Sequence, residues 1–503
     1  MRMFETVLIL VNIVSLFLSF KKQPKAVWAG AAGVNLLVLI LHGAFEGFRY
    51  QMAFSYAYVI LLGVRALAKT HDRFSEIKFP KLLRAITTSL TFGLLVFTSV
   101  LAYALPVFQL PEPTGNYDVG VQYFHLIDED RTDPFLDTST KKRELMVKVY
   151  YPAKKDDSKP FSPYFHTPAL VKSFAVFYNL PGFAFDHLNL VRANSKEGLQ
   201  LSDEAQTYPV ILFSHGAGTT MEVQTSQSED LASHGYIVMA IDHTYVSAAT
   251  VFPDKITSHK DATTDFHIVE PAEIITQIMA DDSSFVIDKL TEMSEGQMAS
   301  IFKRRLDLEH IGAIGHSVGG AVAYNLALTD SRVKAAIDLD GVVFMTPPSQ
   351  SAEMAPFLML ANDKYHIQSI RSRKPLMKQF EEMDEVEQKI TVEILGSEAV
   401  YKEAYSHAQQ NLLGLTTVLE NSGNLFTIEG SDHMKFTDIG LFIGISRMRE
   451  LMGIGGKTDP ARCLEITEAI TLAFFEQHLK GRNGNALASL VGKYPELKKI
   501  DLR

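Results

Sequence analysis

The run Ile311-Gly312-Ala313-Ile314-Gly315-His316-Ser317-Val318-Gly319-Gly320 sets a serine between glycines as G-x-S-x-G, after a short apolar run of β type and before a helical one. A chain that turns sharply from strand to helix lifts the serine hydroxyl clear of the backbone, which is the placement an acyl-transfer nucleophile needs. A serine hydroxyl attacks a carbonyl carbon only when a base takes its proton, and that base needs a carboxylate to hold its tautomer. Four histidines follow Ser317: His366, His407, His433 and His478. His407 and His478 fall in helical stretches. His433 closes the turn Gly430-Ser431-Asp432-His433 after a strand-like run, where a loop can bring an imidazole over a serine. For the acid the residues leave three candidates. Asp338 and Asp340 end the strand after the elbow helix, Asp363 ends the next one, and spacing alone does not choose among them.

An earlier strand-like run ends in Phe213-Ser214-His215-Gly216-Ala217-Gly218. In a fold that carries a serine elbow, this is where backbone supplies one oxyanion donor, so the amides of Ala217 and Val318 are the expected pair. One such donor is worth about 3 kcal/mol of barrier. His215 is expected to support that loop rather than act as a base. No metal-ligand spacing of the H-E-x-x-H kind occurs, and the single cysteine, Cys463, excludes internal disulfides and cysteine-based metal sites. No cofactor and no metal are expected.

The elements that must position these residues alternate. Val119 to Ile127 and Glu144 to Tyr151 read as an antiparallel entry to a sheet. From Tyr208 onward β-type runs (Val210–Phe213, Tyr236–Ile241, Ile311–Ile314, Val333–Leu339, Phe357–Leu360, Leu425–Ile428) alternate with helical ones, among them a long helix from about Glu270. That alternation predicts a mostly parallel sheet with helices on both faces. Residues 155–205, rich in proline and aromatic side chains, interrupt it as a lid-like insertion or a packed excursion. A charged helical insertion from about Pro375 to Gly414 separates the last two strands, and an amphipathic helix from Glu465 to Leu479 closes the domain.

Taken together, Tyr150-Tyr151-Pro152-Ala153, Pro209 to Gly218, Leu231 to Val238, Gly315 to Gly320, Leu339-Asp340-Gly341 and Gly430-Ser431-Asp432-His433 resemble the platelet-activating factor acetylhydrolase family of α/β-hydrolases, the plasma-type group that cleaves short acyl chains from phospholipids. The resemblance runs from about Tyr117 to His478. It implies an α/β-hydrolase fold, a serine ester hydrolase, and Ser317, Asp340 and His433 as nucleophile, acid and base, with oxyanion amides at Ala217 and Val318. The chain departs from the family at Val318 and just after Asp340, where the family often carries an aromatic residue.

The resemblance does not reach the first 110 residues, which are net basic while the remainder is strongly acidic, within an overall formal charge of −10. An acidic domain repels a phosphate backbone, so no nucleic-acid partner is expected. Four apolar stretches, Phe4–Phe20, Ala26–Gly43, Ala53–Ala68 and Ile86–Phe108, predict an all-α, multi-pass membrane segment over 1–110, ahead of a hydrolase domain over 111–503. Lys21, Lys22 and Lys25 follow the first stretch, and Lys69, Arg73, Lys78, Lys81 and Arg84 lie between the third and fourth. The positive-inside rule then puts both loops in the cytoplasm and the catalytic domain outside it. His42, Glu46 and Arg65 are expected as interfacial anchors. The expected partners are membrane lipid and a small-molecule or lipid ester. The competing reading is a non-catalytic, hydrolase-fold membrane sensor or assembly factor.

Overall fold

The computed structural model describes residues 1–18, 23–70, 80–137, 140–263, 272–345, 354–482 and 484–502. The chain packs as two units. One comprises Leu110–Gly182, Arg192–Gly440 and Glu450–Arg503, and the other comprises Met1–Gln109, Phe183–Val191 and Leu441–Arg449.

The larger unit is built on one eleven-stranded sheet. Its strands in chain order are β1 (Asp118–Thr132), β2 (Lys142–Ala153), β3 (Phe161–Pro163), β4 (Arg192–Glu197), β5 (Tyr208–Ser214) and β6 (Ile237–Asp242). After a small separate hairpin of β7 (Ala249–Val251) and β8 (Ile256–Ser258) come β9 (Leu306–His316), β10 (Val333–Leu339), β11 (Phe357–Asn362), β12 (Leu425–Ile428) and β13 (Leu497–Lys499). The spatial order is β13-β12-β11-β10-β9-β5-β6-β2-β1-β4-β3. From β12 to β6 the six strands are parallel, and β2 joins that block antiparallel to β6.

The central strands read as unbroken apolar runs because both faces of the sheet are covered. Successive side chains of a strand point to opposite faces. Accordingly Val210 and Leu212 join one apolar cluster, which also holds Leu290 and Val322, while Ile211 and Phe213 join another with Phe474 and Phe475. The same division separates Phe357 and Met359 from Leu358 and Leu360. The strands expected from alternation are all present. Two more, β3 and β4, arise within 155–205, where the polar sequence of Arg192–Glu197 gives no apolar signal although Ala193, Ser195 and Lys196 are buried. The aromatic cluster there divides: Tyr164, Phe165, Phe174 and Phe185 are buried, whereas Phe161, Tyr178 and Phe183 are exposed. The helix expected from about Glu270 is described from Ala272 onward, Glu270 itself lying outside the described residues.

The smaller unit contains α1 (Met3–Phe17), α2 (Lys25–Phe45), α3 (Ala53–Thr70) and α4 (Lys81–Ala104). Among the described residues, three segments are long and apolar enough to cross a membrane: Lys25–Phe45, Tyr50–Lys69 and Lys81–Ala104. The described part of the first stretch, 15 helical residues, rises only about 22 Å at 1.5 Å per residue, short of a hydrocarbon core about 30 Å thick. Large apolar side chains such as Leu37, Ile60, Leu61 and Phe97 face outward. Polar pairs sit inside instead: Asn12 Nδ2 donates to Ser55 Oγ at 2.5 Å and Asn35 Nδ2 to Ser15 Oγ at 2.7 Å. This inverted arrangement suits helices solvated by lipid. Lys21, Lys22, Arg73 and Lys78, on which the topology expectation partly rests, lie outside the described residues. Two later segments pack with these helices: Tyr50 Oη donates to the Ala184 carbonyl at 2.8 Å, and the rings of Phe108 and Phe442 stack at 5.4 Å.

Candidate active site

Ser317 lies between the end of β9 and the start of helix Val318–Thr329, with φ 58° and ψ −125°. A non-glycine residue held at positive φ is strained, and strain of this kind is the mark of a nucleophile elbow. The turn is possible because its neighbours lack side chains. A Cβ on Gly315 would stand 2.0 Å from the Gly319 carbonyl oxygen, and one on Gly319 would stand 2.2 Å from that of Ser214. The Ser317 amide donates to Leu339 O at 3.0 Å, which stitches the elbow to the end of the next strand.

Asp340 follows that strand, also at positive φ (61°), and is fully buried. Its Oδ2 accepts from His433 Nδ1 at 2.7 Å and from Asn362 Nδ2 at 2.7 Å. Its Oδ1 accepts from the Asn362 amide at 2.6 Å and from His366 Nδ1 at 2.7 Å. Burial alone would raise this carboxyl, but the bonds from His366 and His433 outweigh it and hold it well below the usual carboxylate range. Asp340 is therefore an anion throughout the working pH range.

His433 opens a short 3-10 turn, His433–Phe436, just after β12. Three groups fix this loop. Asp432 accepts from the amides of His433 (2.8 Å) and Gly455 (3.0 Å), and Lys435 Nζ donates to Gly456 O at 2.9 Å. From beneath, His316 Nε2 donates to the His433 carbonyl at 2.9 Å, with the two rings 4.5 Å apart. Burial, with His433 next to it, lowers His316 to about 3, so it stays neutral and serves as a fixed donor.

The structure thus brings Ser317, Asp340 and His433 to the carboxyl ends of β9, β10 and β12. The other acids are engaged elsewhere. Asp338 Oδ1 accepts from the Gly341 amide at 2.6 Å, and burial raises its carboxyl to about 7. Asp363 Oδ2 accepts from the Gly430 amide at 3.2 Å. His407 lies in helix Glu398–Ser422, and His478 packs its ring 4.5 Å from Phe474 in helix Pro460–Leu479.

The other wall of the site is the loop after β5. A Cβ on Gly216 would lie 3.1 Å from Ser317 Cβ, so this loop and the elbow meet. The loop is pinned by Gly218 N to Val246 O (2.9 Å) and Thr219 N to Gly216 O (3.1 Å), which sets Ala217 between two anchored residues. The Val318 amide lies in the first turn of its helix, where N–H groups have no intrahelical acceptor. His215 is buried and supports the loop: its Nδ1 donates to Gly216 O at 2.8 Å and its Nε2 accepts from the His243 amide at 3.1 Å.

Behind it stands a second Ser-His-Asp arrangement that the sequence does not suggest. His243 Nε2 meets Ser214 Oγ at 3.1 Å, and His243 Nδ1 meets Asp282 Oδ2 at 3.1 Å, with Arg143 Nη2 donating to the same oxygen at 2.7 Å. All four side chains are buried, and burial lowers His243 to about 4. Sealed from substrate, this set braces the end of β5. The aromatic segment closes over the loop: the Phe177 ring occupies the space where a Gly218 side chain would stand, and Tyr178 Oη donates to Gly218 O at 3.4 Å.

One group of possible metal ligands occurs among the described residues, Glu5, His42 and Glu46, within the helical unit. Arg49 takes Glu5 with bonds of 2.6 and 2.7 Å, and the Phe4 amide donates to Glu46 at 2.8 Å. Arginine already supplies the positive charge an ion would bring, so the set is an ion-pair cluster. His42, expected as an interfacial anchor, is instead buried against Tyr56 and Glu46.

Sequence reasoning did not single out His366, Asn362 or His316. His366 is one of the four histidines after the elbow, but nothing local to it signals a carboxylate arriving from another strand.

The family described as "Platelet-activating factor acetylhydrolase, isoform II" matches residues 104–291 and 268–492. A probable 1-alkyl-2-acetylglycerophosphocholine esterase of Arthroderma benhamiae is 24% identical over 415 residues, 78% of this chain and 94% of the relative. The platelet-activating factor acetylhydrolase of Canis lupus familiaris is 23% identical over 407 residues, covering 74% of this chain and 77% of the relative. Among solved structures, a ferulic acid esterase from Streptomyces cinnamoneus aligns with a TM-score of 0.57 at 26% identity, covering 79% of this chain and all of that one. The fold is that of an α/β-hydrolase-like esterase.

Proposed function

The chain belongs to the platelet-activating factor acetylhydrolase, isoform II, family, and from that premise we propose that it is a membrane-tethered serine hydrolase cleaving short-acyl or lipid-type carboxylic esters through an acyl-enzyme. The observation that carries this reading is a strained serine elbow whose Ser317 amide is bonded to Leu339 O, next to a buried Asp340 whose Oδ2 holds His433 Nδ1 at 2.7 Å. With Nδ1 engaged, the other ring nitrogen is free to act as base. His433 Nε2 takes the Ser317 proton as Oγ adds to the ester carbon, and the developing oxyanion lies toward the amides of Ala217 and Val318. Asp340, already ionised, stabilises the imidazolium. His433 then gives its proton to the leaving alcohol oxygen as the ester bond breaks. Water, deprotonated by the same nitrogen, releases the acid and restores the serine. No cofactor enters these steps.

The relatives' names point to acetyl esters of ether phospholipids and to an aromatic-acid ester. An enzyme carried on the same chain as membrane-spanning helices gains most from a lipid ester, because its substrate is concentrated in the surface it is bound to. We expect the full-length enzyme in lipid vesicles to prefer a membrane-resident short-acyl lipid ester over a soluble short ester, relative to the same enzyme in detergent. Equal preference in vesicles and detergent would remove the lipid assignment and favour a soluble ester. Topology is tested separately. A reporter fused after Phe108 should be active only outside the cytoplasm and one fused near Arg73 only inside it. Cytoplasmic activity at both points would overturn the extracytoplasmic placement.

A further inference from the structure

Asp340 serves two imidazoles. His433 Nδ1 is 2.7 Å from Oδ2 and His366 Nδ1 is 2.7 Å from Oδ1, with their ring centroids 6.4 Å apart and nearly perpendicular at 83°. Both nitrogens must donate, since a carboxylate only accepts. The acid thus brings one negative charge to two imidazoles bonded to it from opposite sides. We propose that His366 is a positioning residue of the catalytic site, holding the Asp340 carboxylate from the side opposite His433, so that the two imidazoles share one charge and take up protons as a coupled pair. This rests on the triad reading given above and deepens it.

The surroundings of His366 leave the shared carboxylate as its main partner. It begins the helix His366–Ser372, and its ring lines a cavity of about 270 Å³ with Val342, Ile370, Leu376, Leu412 and Leu415, all apolar. The helix Glu398–Ser422 faces that cavity with Ala408, Leu412 and Leu415 and so brings no charge to it. Among the described residues, the charged and titratable groups around His366 are Asp340 after β10, Asp338 within β10, His433 after β12 and the neutral His316 at the end of β9. Burial opposes a proton on His366, but the bond to Asp340 wins and its pKa is raised above the ordinary value. Asn362 reinforces the clamp by donating to both Asp340 oxygens, at 2.9 and 2.7 Å, so the carboxylate plane is fixed and Oδ2 is presented to His433.

The sign of the coupling follows from charge. A proton on His366 neutralises the carboxylate that His433 depends on, so a second proton on His433 becomes harder to add and the base stays neutral to lower pH. Removing His366 gives His433 the undivided carboxylate, and its imidazolium then forms at higher pH. A like charge about 6 Å away in a partly buried site shifts a titration by about one to two pH units.

The test is the pH dependence of kcat and KM on a soluble ester for the full-length wild type, His366→Asn and His366→Leu. Asparagine can still donate to Oδ1 but takes no proton, whereas leucine does neither. We expect the acid limb of kcat/KM to move up by about one to two pH units in both variants. We expect kcat at its plateau to fall about threefold for asparagine and at least about tenfold for leucine, with KM little changed in either. Recovery by asparagine relative to leucine separates holding the carboxylate from filling space. An acid limb that stays at the wild-type position in His366→Asn overturns the proposal, whatever the leucine variant does. Ser317→Ala is assayed alongside. If that variant is inactive while the His366→Asn limb does not move, the catalytic reading stands and only this inference falls. If it remains active, the catalytic reading itself falls.

Discussion

Ser317→Ala is expected to lower ester turnover by on the order of a millionfold, because without Oγ no acyl-enzyme forms and the rest of the site has nothing to activate. Binding and the oxyanion amides can still favour attack by water, which leaves a residual about a thousand- to ten-thousandfold over the uncatalysed reaction. The fold should survive, since serine to alanine deletes one oxygen at a half-buried position and leaves the elbow's backbone bond, Ser317 N to Leu339 O, in place. Two measurements check this: turnover on a chromogenic short-chain ester, and labelling by a serine-directed fluorophosphonate. The wild type should label and the variant should not. Activity above about a hundredth of wild type would reject the elbow as the nucleophile. A wild type that neither labels nor turns over any ester would favour a hydrolase fold used only for binding.

Asp340→Asn should cost about ten-thousandfold in turnover with little change in KM. An amide at this position offers an N–H where His433 Nδ1 needs an acceptor, so the imidazole is driven toward the wrong tautomer and its charged form loses its counter-ion. Here the substitution also leaves His366 Nδ1 without an anionic partner, since both rings contact the same carboxylate at 2.7 Å. Asp363→Asn is the informative control. Its carboxylate accepts from the Gly430 amide, two strand ends away from the elbow, and because an asparagine oxygen can still accept that bond, turnover should fall by no more than about tenfold. The two variants, assayed on the same ester with thermal melting as a check on folding, should differ by about a thousandfold. The opposite ranking would move the acid to Asp363.

The serine elbow was legible because its requirements are local. Gly315 is demanded by the elbow itself, since the Gly319 carbonyl oxygen passes within 2.0 Å of where its side chain would be, whereas the 2.2 Å approach at Gly319 comes from Ser214 at the end of β5 and is a long-range demand. The parallel core was legible for a related reason: strands covered on both faces carry uninterrupted apolar runs. What the sequence left open was decided wherever partners arrive from distant strands. Asp338, Asp340 and Asp363 all sit near strand ends, and only the register of β10 against β9 and β11 turns Asp340 toward His433 while Asp338 takes the Gly341 amide. Helix Thr225–Ser233 is polar in sequence, yet every residue in it is buried, because Asp438, Phe436 and Asn194 from far along the chain meet its side chains with hydrogen bonds. Strand β4, paired on one side with β1 and on the other with β3, escaped notice because pairing, which composition does not record, is what makes it a strand. Likewise, the place of Phe183–Val191 and Leu441–Arg449 among the amino-terminal helices is set by tertiary packing alone. Amino-acid types and near-neighbour spacing thus determined the serine turn after β9, the sheet and the apolar helices. Tertiary structure determined which carboxylate meets His433, the second imidazole bonded to it, and the buried polar supports, because each of these depends on which groups long-range folding brings within hydrogen-bond distance.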